Sequence, residues 1–569
     1  MPTDIAASPD HGDDLIRELT ERVWRHRLER KRGADEAWLD GRVADGLPDL
    51  SPAGYQERAR EATGVLREIA ELRGRAHSIR GREDLDVLEY QSRVTVAEAE
   101  LRDYEAPATS DSSPWGALID GARSPIHTLE DADRYLSQLE EIPRYLGQVQ
   151  ENMRTGLGRG FGPARISMVG REAIVRTVAE DRPENPFRTA FQALPDRLGP
   201  NAVQQRRTDA EALVNDQVIP AFSKLLEFLE TEYFPHLPEE ISASKRYGDD
   251  YYRQQVYRHC AMEISAEEIH QRGLAAVESI LAEMRVYSRR VGFGEDLDAL
   301  FAFMRRDPQF YARTPQELLN EAAWEAKMFD GVVHQYFGVV PRSRFRITEP
   351  APDLALFYTF GRGGIGQYIL NTYPLDQRPL YSLPALTLHE AAPGHTFQIA
   401  HALENPALPE FRKKSYISSY GEGWALYCER LGVEMGMYRT DYEMLGMLSF
   451  QMWRAVRLVI DPGVHALGWS RDKAIAYLRD HTAIGEHEVT TEVDRYISWP
   501  GQAPSYALGQ AVIEDLRATA EQRLGTSFRL PDFHDEVLGR GCVPLATLQA
   551  GIEEWIHGCE SRQAEESTS

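Results

Sequence analysis

Residues 383–400 read LPALTLHEAAPGHTFQIA, and the way this stretch folds decides the reading of the chain around it. An apolar approach leads into His389-Glu390, and His395 follows a Pro-Gly pair. A helix with two histidines on one face and a glutamate beside the first can offer two neutral imidazoles to Zn2+ and a carboxylate to activate water. That arrangement usually separates the histidines by four residues, about 40° around a helix of ~3.6 residues per turn. Here they are six apart, about 120° on an unbroken helix, which cannot aim both rings at one ion. Pro393 cannot donate to the carbonyl of residue 389, and Gly394 tolerates unusual dihedrals. The sequence therefore predicts a helix that bulges or breaks at Pro393-Gly394 and rejoins with His395 turned toward His389. The spacing alone leaves another reading open, two unrelated polar residues at a helix boundary.

Outward from this stretch, residues 420–434 read YGEGWALYCERLGVE, with Glu422 placed 27 residues after His395. A loop (ENPALPEFRKKSYISSYG) joins the two segments. Two histidines on one helix and Glu422 on the next make three protein ligands and leave an open position. Glu429 lies seven residues on, near the same face, as a candidate acceptor for a ligand histidine. The alternative for both glutamates is a solvated helix face. Trp424, Ala425, Leu426 and Tyr427 argue for burial instead.

The run HEAAPGHTFQ, then GEGWALYCE, RAVRLVIDPGVHALGW and RYISWPGQAPSYALGQ, falls in that order across residues 389–510. With these motifs the chain resembles the bacterial family catalogued as domain of unknown function 885, over roughly residues 15–560. That family in turn resembles the helical gluzincin peptidases, the group of angiotensin-converting enzyme and Taq-type carboxypeptidases. The resemblance implies His389, His395 and Glu422 as zinc ligands, Glu390 as general base and Zn2+ as cofactor. It implies a mainly α, large helical zincin-like fold with a deep cleft and a small antiparallel sheet near the metal helix. The sequence departs at Thr396, where many relatives carry a further histidine.

A zinc peptidase also needs a donor for the oxyanion of its tetrahedral intermediate. His465 and Tyr506 are the candidates, and Tyr496 is a third; the bland alternatives are a helix-terminal histidine and half-buried tyrosines. Arg454, Arg457 and Arg495 stand in apolar or aromatic surroundings and require carboxylate partners. Those partners are either protein carboxylates or a substrate's free C-terminus, the latter making Arg457 and Arg495 substrate-binding along with Tyr496. The strand YILNTY (368–373), with Tyr368, is expected at a sheet edge where an extended peptide could add. The preceding GRGGIG (361–366) is expected as a flexible turn, because no helix follows it as a dinucleotide site requires. His481, His487 and Glu488, with Glu486 and Glu492, read as a solvated face.

The whole chain fits this frame. Its 569 residues are 42 % apolar and 27 % charged, enough for a sizeable core. Helical period recurs near 54–78, 129–154, 205–232, 262–290 and 315–334, whereas 343–373 carries short strand-like runs. Residues 1–12 and 561–569 are expected to be disordered, 13–340 to form one side of the cleft, and 341–560 to hold the metal site, as one continuous catalytic unit. The net charge of −25 argues against nucleic acid and anionic lipid as partners. Four unpaired-looking cysteines and no basic-apolar leader point to the cytoplasm. The expected function is a zinc-dependent metallopeptidase for small peptides. The alternatives are a zinc enzyme acting on a non-peptide amide in a biosynthetic pathway, and a metal-free peptide or small-acid binding protein.

Overall fold

The computed structural model describes residues 9–29, 46–76, 78–123, 126–183, 185–192, 194–352, 355 and 359–568. It divides the chain into two compact units, Met1–Ile241 and Ser242–Ser569. The boundary expected at 340 falls inside the second. Residues 1–8 of the expected frayed N-terminus lie outside the described residues.

The first unit is helical. Its long elements are α1 (Pro9–Glu29), α2 (Pro52–Leu72), α3 (Ile79–Leu101), α4 (Leu129–Gly158), α5 (Pro200–Leu213) and α6 (Ile219–Phe228). Helix α4 begins on a capping box: Thr128 Oγ1 accepts from the Asp131 amide, and the Asp131 carboxylate accepts from the Thr128 amide. A π turn over Val214–Val218 joins α5 to α6. The core packs Tyr135, Phe187, Phe191, Phe222 and Phe228 among aliphatic residues.

The second unit contains α7 (Ala266–Arg290), α8 (Pro315–Tyr336), β1 (Arg346–Thr348), β2 (Gly361–Gly364), β3 (Gln367–Leu370), α9 (Leu383–Glu390) and α10 (His395–Glu404). It continues with α11 (Ser418–Glu434), α12 (Asp441–His465), α13 (Glu486–Ser498), α14 (Ser505–Leu524) and α15 (Leu545–Thr568). Helix α12 is buried from Glu443 to His465. A helix enclosed on all sides is the axis of a core rather than a surface element. Helix α7 lies along it, and α11 packs on α14. At that crossing a Cβ on Gly423 would stand 2.5 Å from the Gly509 Cα, so the two backbones touch. Glu422 and Tyr506 flank the crossing.

The sheet has the order β1-β3-β2. β2 and β3 form an antiparallel hairpin, Gly361↔Leu370 to Gly364↔Gln367, but β1 pairs parallel to β3. The sheet is therefore mixed rather than antiparallel, because the chain from β1 returns to β3 in the same direction only after passing through β2. Two further expectations are corrected here. The strand that carries Tyr368 is the central one, with both edges occupied, and Tyr368 is fully buried. And GRGG is itself strand β2, followed by the hairpin turn in which Gly366 takes φ +68°. The expected C-terminal fray is helical as far as Thr568. Among the described residues no helix is long and apolar enough to cross a membrane.

Candidate metal centre

Helix α9 stops at Glu390 and α10 starts at His395, so the break lies where the Pro-Gly pair requires it. The Gly394 amide reaches back to the Leu388 carbonyl at 2.9 Å, one long turn instead of a helical one. A Cβ on Gly394 would stand 1.8 Å from the His389 carbonyl oxygen. Glycine is needed there for close approach, not for a positive φ, since its φ is −71°. The Trp424 indole donates to the Pro393 carbonyl at 2.8 Å and pins the break to α11. The result turns the two imidazoles toward each other, with ring centroids 4.9 Å apart and planes at 86°.

Glu422 meets both rings. Its Oε2 lies 3.2 Å from His395 Nε2 and 3.5 Å from His389 Nε2. Donors held ~2.0–2.2 Å from a tetrahedral zinc ion stand roughly 3.3–3.6 Å from one another. The spacing therefore fits such an ion, and the three groups are a set of ligand atoms within 4.8 Å of one another that could hold a metal. Behind the site, His389 Nδ1–H donates to Glu429 Oε1 at 2.8 Å. In the neutral ring this leaves Nε2 as the lone-pair nitrogen facing Glu422. Glu429 is fully buried; its Oε2 accepts from Gln451 Nε2 at 3.1 Å, and Gln451 Oε1 accepts from Gln510 at 2.8 Å.

The electrostatics follow from this enclosure. Burial opposes a charged His389, but hydrogen bonds to Glu422 and Glu429 outweigh it and carry its pKa up to about 9. Burial likewise opposes an ionised Glu422, yet His395 and His389 hold it well below the usual carboxylate range. Glu390 points its Oε2 at strand β2, where the Gly363 amide donates at 2.5 Å. A Cβ on Gly363 would overlap the Glu390 carbonyl oxygen at 1.9 Å. The glycine strand is thus a platform pressed against Glu390, a role invisible in a run that reads as a loose turn.

The other expected site residues separate into two groups. Tyr506 is brought to the site: its ring lies 6.4 Å from that of His389, nearly parallel, and it is 9 % exposed. His465 is not free to act as an oxyanion donor. Its Nε2–H donates to the Tyr496 carbonyl at 2.9 Å and its Nδ1 accepts from the Ala243 amide at 3.2 Å. Burial pushes its pKa down to about 3.

Tyr496 accepts from Trp453 Nε1 at 2.8 Å and Arg457 Nε at 3.1 Å. Arg457 Nη2 donates to Glu492 at 2.9 Å, and Arg495 lies 3.7 Å from the same carboxylate while donating to Gln502. The arginines have protein partners, the ordinary outcome for buried guanidinium groups. Glu488 and Glu492 are buried, not solvated, and Glu488 pairs with Arg378 at 3.6 Å. The side chains of Glu486 and His487 lie outside the described residues. Sequence reasoning also passed over Tyr416, whose hydroxyl donates to Glu422 Oε1 at 3.0 Å. It stands in an irregular loop, where no periodicity marks a side chain's direction.

The model of a family described as bacterial protein of unknown function, DUF885, matches residues 34–552. Among solved structures, a candidate lipoprotein from Colwellia psychrerythraea matches with a TM-score of 0.85 at 25 % identity, over 97 % of this chain and all of that one. A candidate lipoprotein of unknown function from Shewanella oneidensis matches with a TM-score of 0.65 at 16 % identity, over 96 % of this chain and 99 % of that one. No curated protein matches the chain.

Proposed function

The chain belongs to the DUF885 family, and from that premise we propose that it is a zinc-dependent hydrolase, a metallopeptidase of gluzincin type that cleaves small peptides. The observation that carries this reading is the convergence of two imidazole nitrogens, His389 Nε2 and His395 Nε2, on Glu422 Oε2 at 3.5 and 3.2 Å, a spacing that fits a tetrahedral ion. His389, His395 and Glu422 would hold the ion. Bound there, zinc supplies Lewis acidity for an amide carbonyl and lowers the pKa of a water toward neutrality.

The chain's own groups do the rest. The Gly363 amide fixes Glu390 Oε2 and leaves Oε1 to take the proton from water and return it to the leaving amine. Tyr506, beside His389, supplies the phenol donor for the oxyanion. A zincin-like fold with its substrate cleft, a cytoplasmic location, and the absence of nucleic-acid and membrane partners belong to the same reading. The lipoprotein designation is that of the two bacterial relatives.

A second reading, a metal-free binding protein for peptides or small acids, is favoured by Glu422 already lying within hydrogen-bond reach of His395 and by Thr396 replacing a histidine. Metal analysis of protein freshly purified after zinc-supplemented growth decides between them. About one zinc per chain is expected, lost in His395→Ala and Glu422→Ala. A wild-type protein without metal would sink the enzyme reading. A peptide-library digest read by mass spectrometry then identifies the cleaved bond.

A further inference from the structure

The two oxygens of Glu422 face different groups. Oε2 is turned to the imidazoles, while Oε1 accepts the Tyr416 hydroxyl at 3.0 Å. Tyr416 comes from the loop between α10 and α11, and its phenol lies on the backbone of Gly421. A Cβ there would stand 2.5 Å from the ring Cε2 and 2.8 Å from the hydroxyl oxygen. Gly421 ends the first turn of α11, its amide bonded to the Ile417 carbonyl at 3.0 Å, and glycine in a helix is costly unless something needs the space. Here the space is filled by the phenol. Tyr416 is nevertheless 43 % exposed, so core burial does not explain its position; the glycine seat and the hydrogen bond do.

We propose that Tyr416 is a positioning residue that holds Glu422 as a one-oxygen ligand and thereby keeps a coordination position open for water and substrate. The inference rests on the metal-centre reading above. A carboxylate beside a divalent cation can bind through one oxygen or both, and a catalytic zinc site needs three protein ligands and an unfilled fourth position. With its outer oxygen engaged by a phenol, Glu422 presents only Oε2. With the phenol gone, Oε1 is a bare lone pair able to turn inward and fill the fourth position. Groups that orient ligands in this way typically alter metal affinity or activity by ~10–100-fold when removed.

The test loads the full-length protein with Co2+ and records its visible d–d absorption and its titration with azide, a small anion that reports an open position. Wild type is expected to give the intense band of a four-coordinate ion and to bind azide. Tyr416→Phe, which removes only the hydroxyl, should shift the band, because a second carboxylate oxygen replaces water among the four donors, and should bind azide at least about tenfold more weakly. Gly421→Ala, which displaces the phenol without altering it, should move both readouts in the same direction, with circular dichroism confirming its fold. A cobalt-loaded Tyr416→Phe with wild-type band and azide affinity overturns the inference and leaves the metal centre standing. A wild-type protein that takes up neither cobalt nor zinc overturns the proposed function, and this inference with it.

Discussion

Two buried polar clusters lie side by side in the second unit, and they are built on opposite rules. In the network of Arg378, Glu488, Arg457, Glu492, Tyr496 and Arg495, donors face acceptors. Each of the two carboxylates is answered by a guanidinium within the protein. In the cluster of His389, His395 and Glu422, two imidazole nitrogens converge on one carboxylate oxygen. His389 has its one N–H committed on the far side to Glu429 when it is neutral. Only an added proton or a cation satisfies that convergence. The Arg457 guanidinium lies 4.4 Å above the Tyr506 ring, and Tyr506 stacks beside His389, so the clusters are neighbours. The contrast shows that proximity to a site and burial of charge do not mark a functional residue; convergence of ligand-type atoms on one point does.

The largest effect expected from this contrast is at Glu390. Glu390→Gln keeps the size of the side chain and an acceptor for the Gly363 amide but removes the base. Turnover of an identified peptide should fall ~10²–10⁴-fold, with zinc retained at one per chain. Zinc lost together with activity would show Glu390 to be a ligand. Zinc and full activity both retained would remove general-base catalysis from this centre.

The next effect falls on the closed network. Glu492→Gln leaves Arg457 and Arg495 in the interior without their shared carboxylate, and breaking such a pair costs about 3–5 kcal/mol. The urea midpoint should drop accordingly, while the folded fraction keeps its zinc. A variant as stable as wild type but unable to bind substrate would reverse the assignment and return Arg457 to the substrate.

What was legible in the sequence follows the range of the interactions. Helices with a clear 3.6-residue pattern, such as 129–154 and 315–334, are found at α4 and α8 within a few residues. The helix break at Pro393-Gly394 was equally local, since it depends on two residues and one carbonyl. Glu422 was within reach because it lies near the start of the next helix, which begins at Ser418. Pairing between distant segments was not. Arg457 and Glu492 are 35 residues apart, and nothing in RAVRLVIDPGVHALGW announces that its second arginine is answered from α13. The same gap misread His465, whose ring is closed by Ala243 from over two hundred residues away, and Tyr368, whose strand is made central by β1 joining from the other side. The glycines of β2 and Gly421 read as loop or helix punctuation, because a close approach is a property of the neighbour and not of the glycine.

The smallest effect expected is a pH dependence belonging to the closed network alone. Burial raises the Glu488 carboxyl to about 7, with Glu492 adding to the rise and Arg378 opposing it. Its Oε1 has no hydrogen-bond partner, which leaves the neutral form the better buried one. A carboxyl whose pKa is higher in the folded chain than in the unfolded one, near 4.5, binds its proton more tightly when folded. Its contribution to stability is therefore fully present below about pH 4.5 and is lost as pH rises through about 7. At ~1.36 kcal/mol per pKa unit this amounts to about 3–4 kcal/mol at most, and less if the Arg378 pair tightens once Glu488 ionises. Glu488→Gln mimics the protonated acid at every pH. Urea midpoints measured between pH 5 and 8 should consequently fall less steeply in the variant than in wild type. The difference between the two slopes should be the same with zinc present or chelated, because no member of this network is a candidate ligand. Equal slopes in wild type and variant would place the titrating group elsewhere. A slope difference that disappears on chelation would mean the two clusters are coupled, and the division between a closed network and an open site would no longer hold.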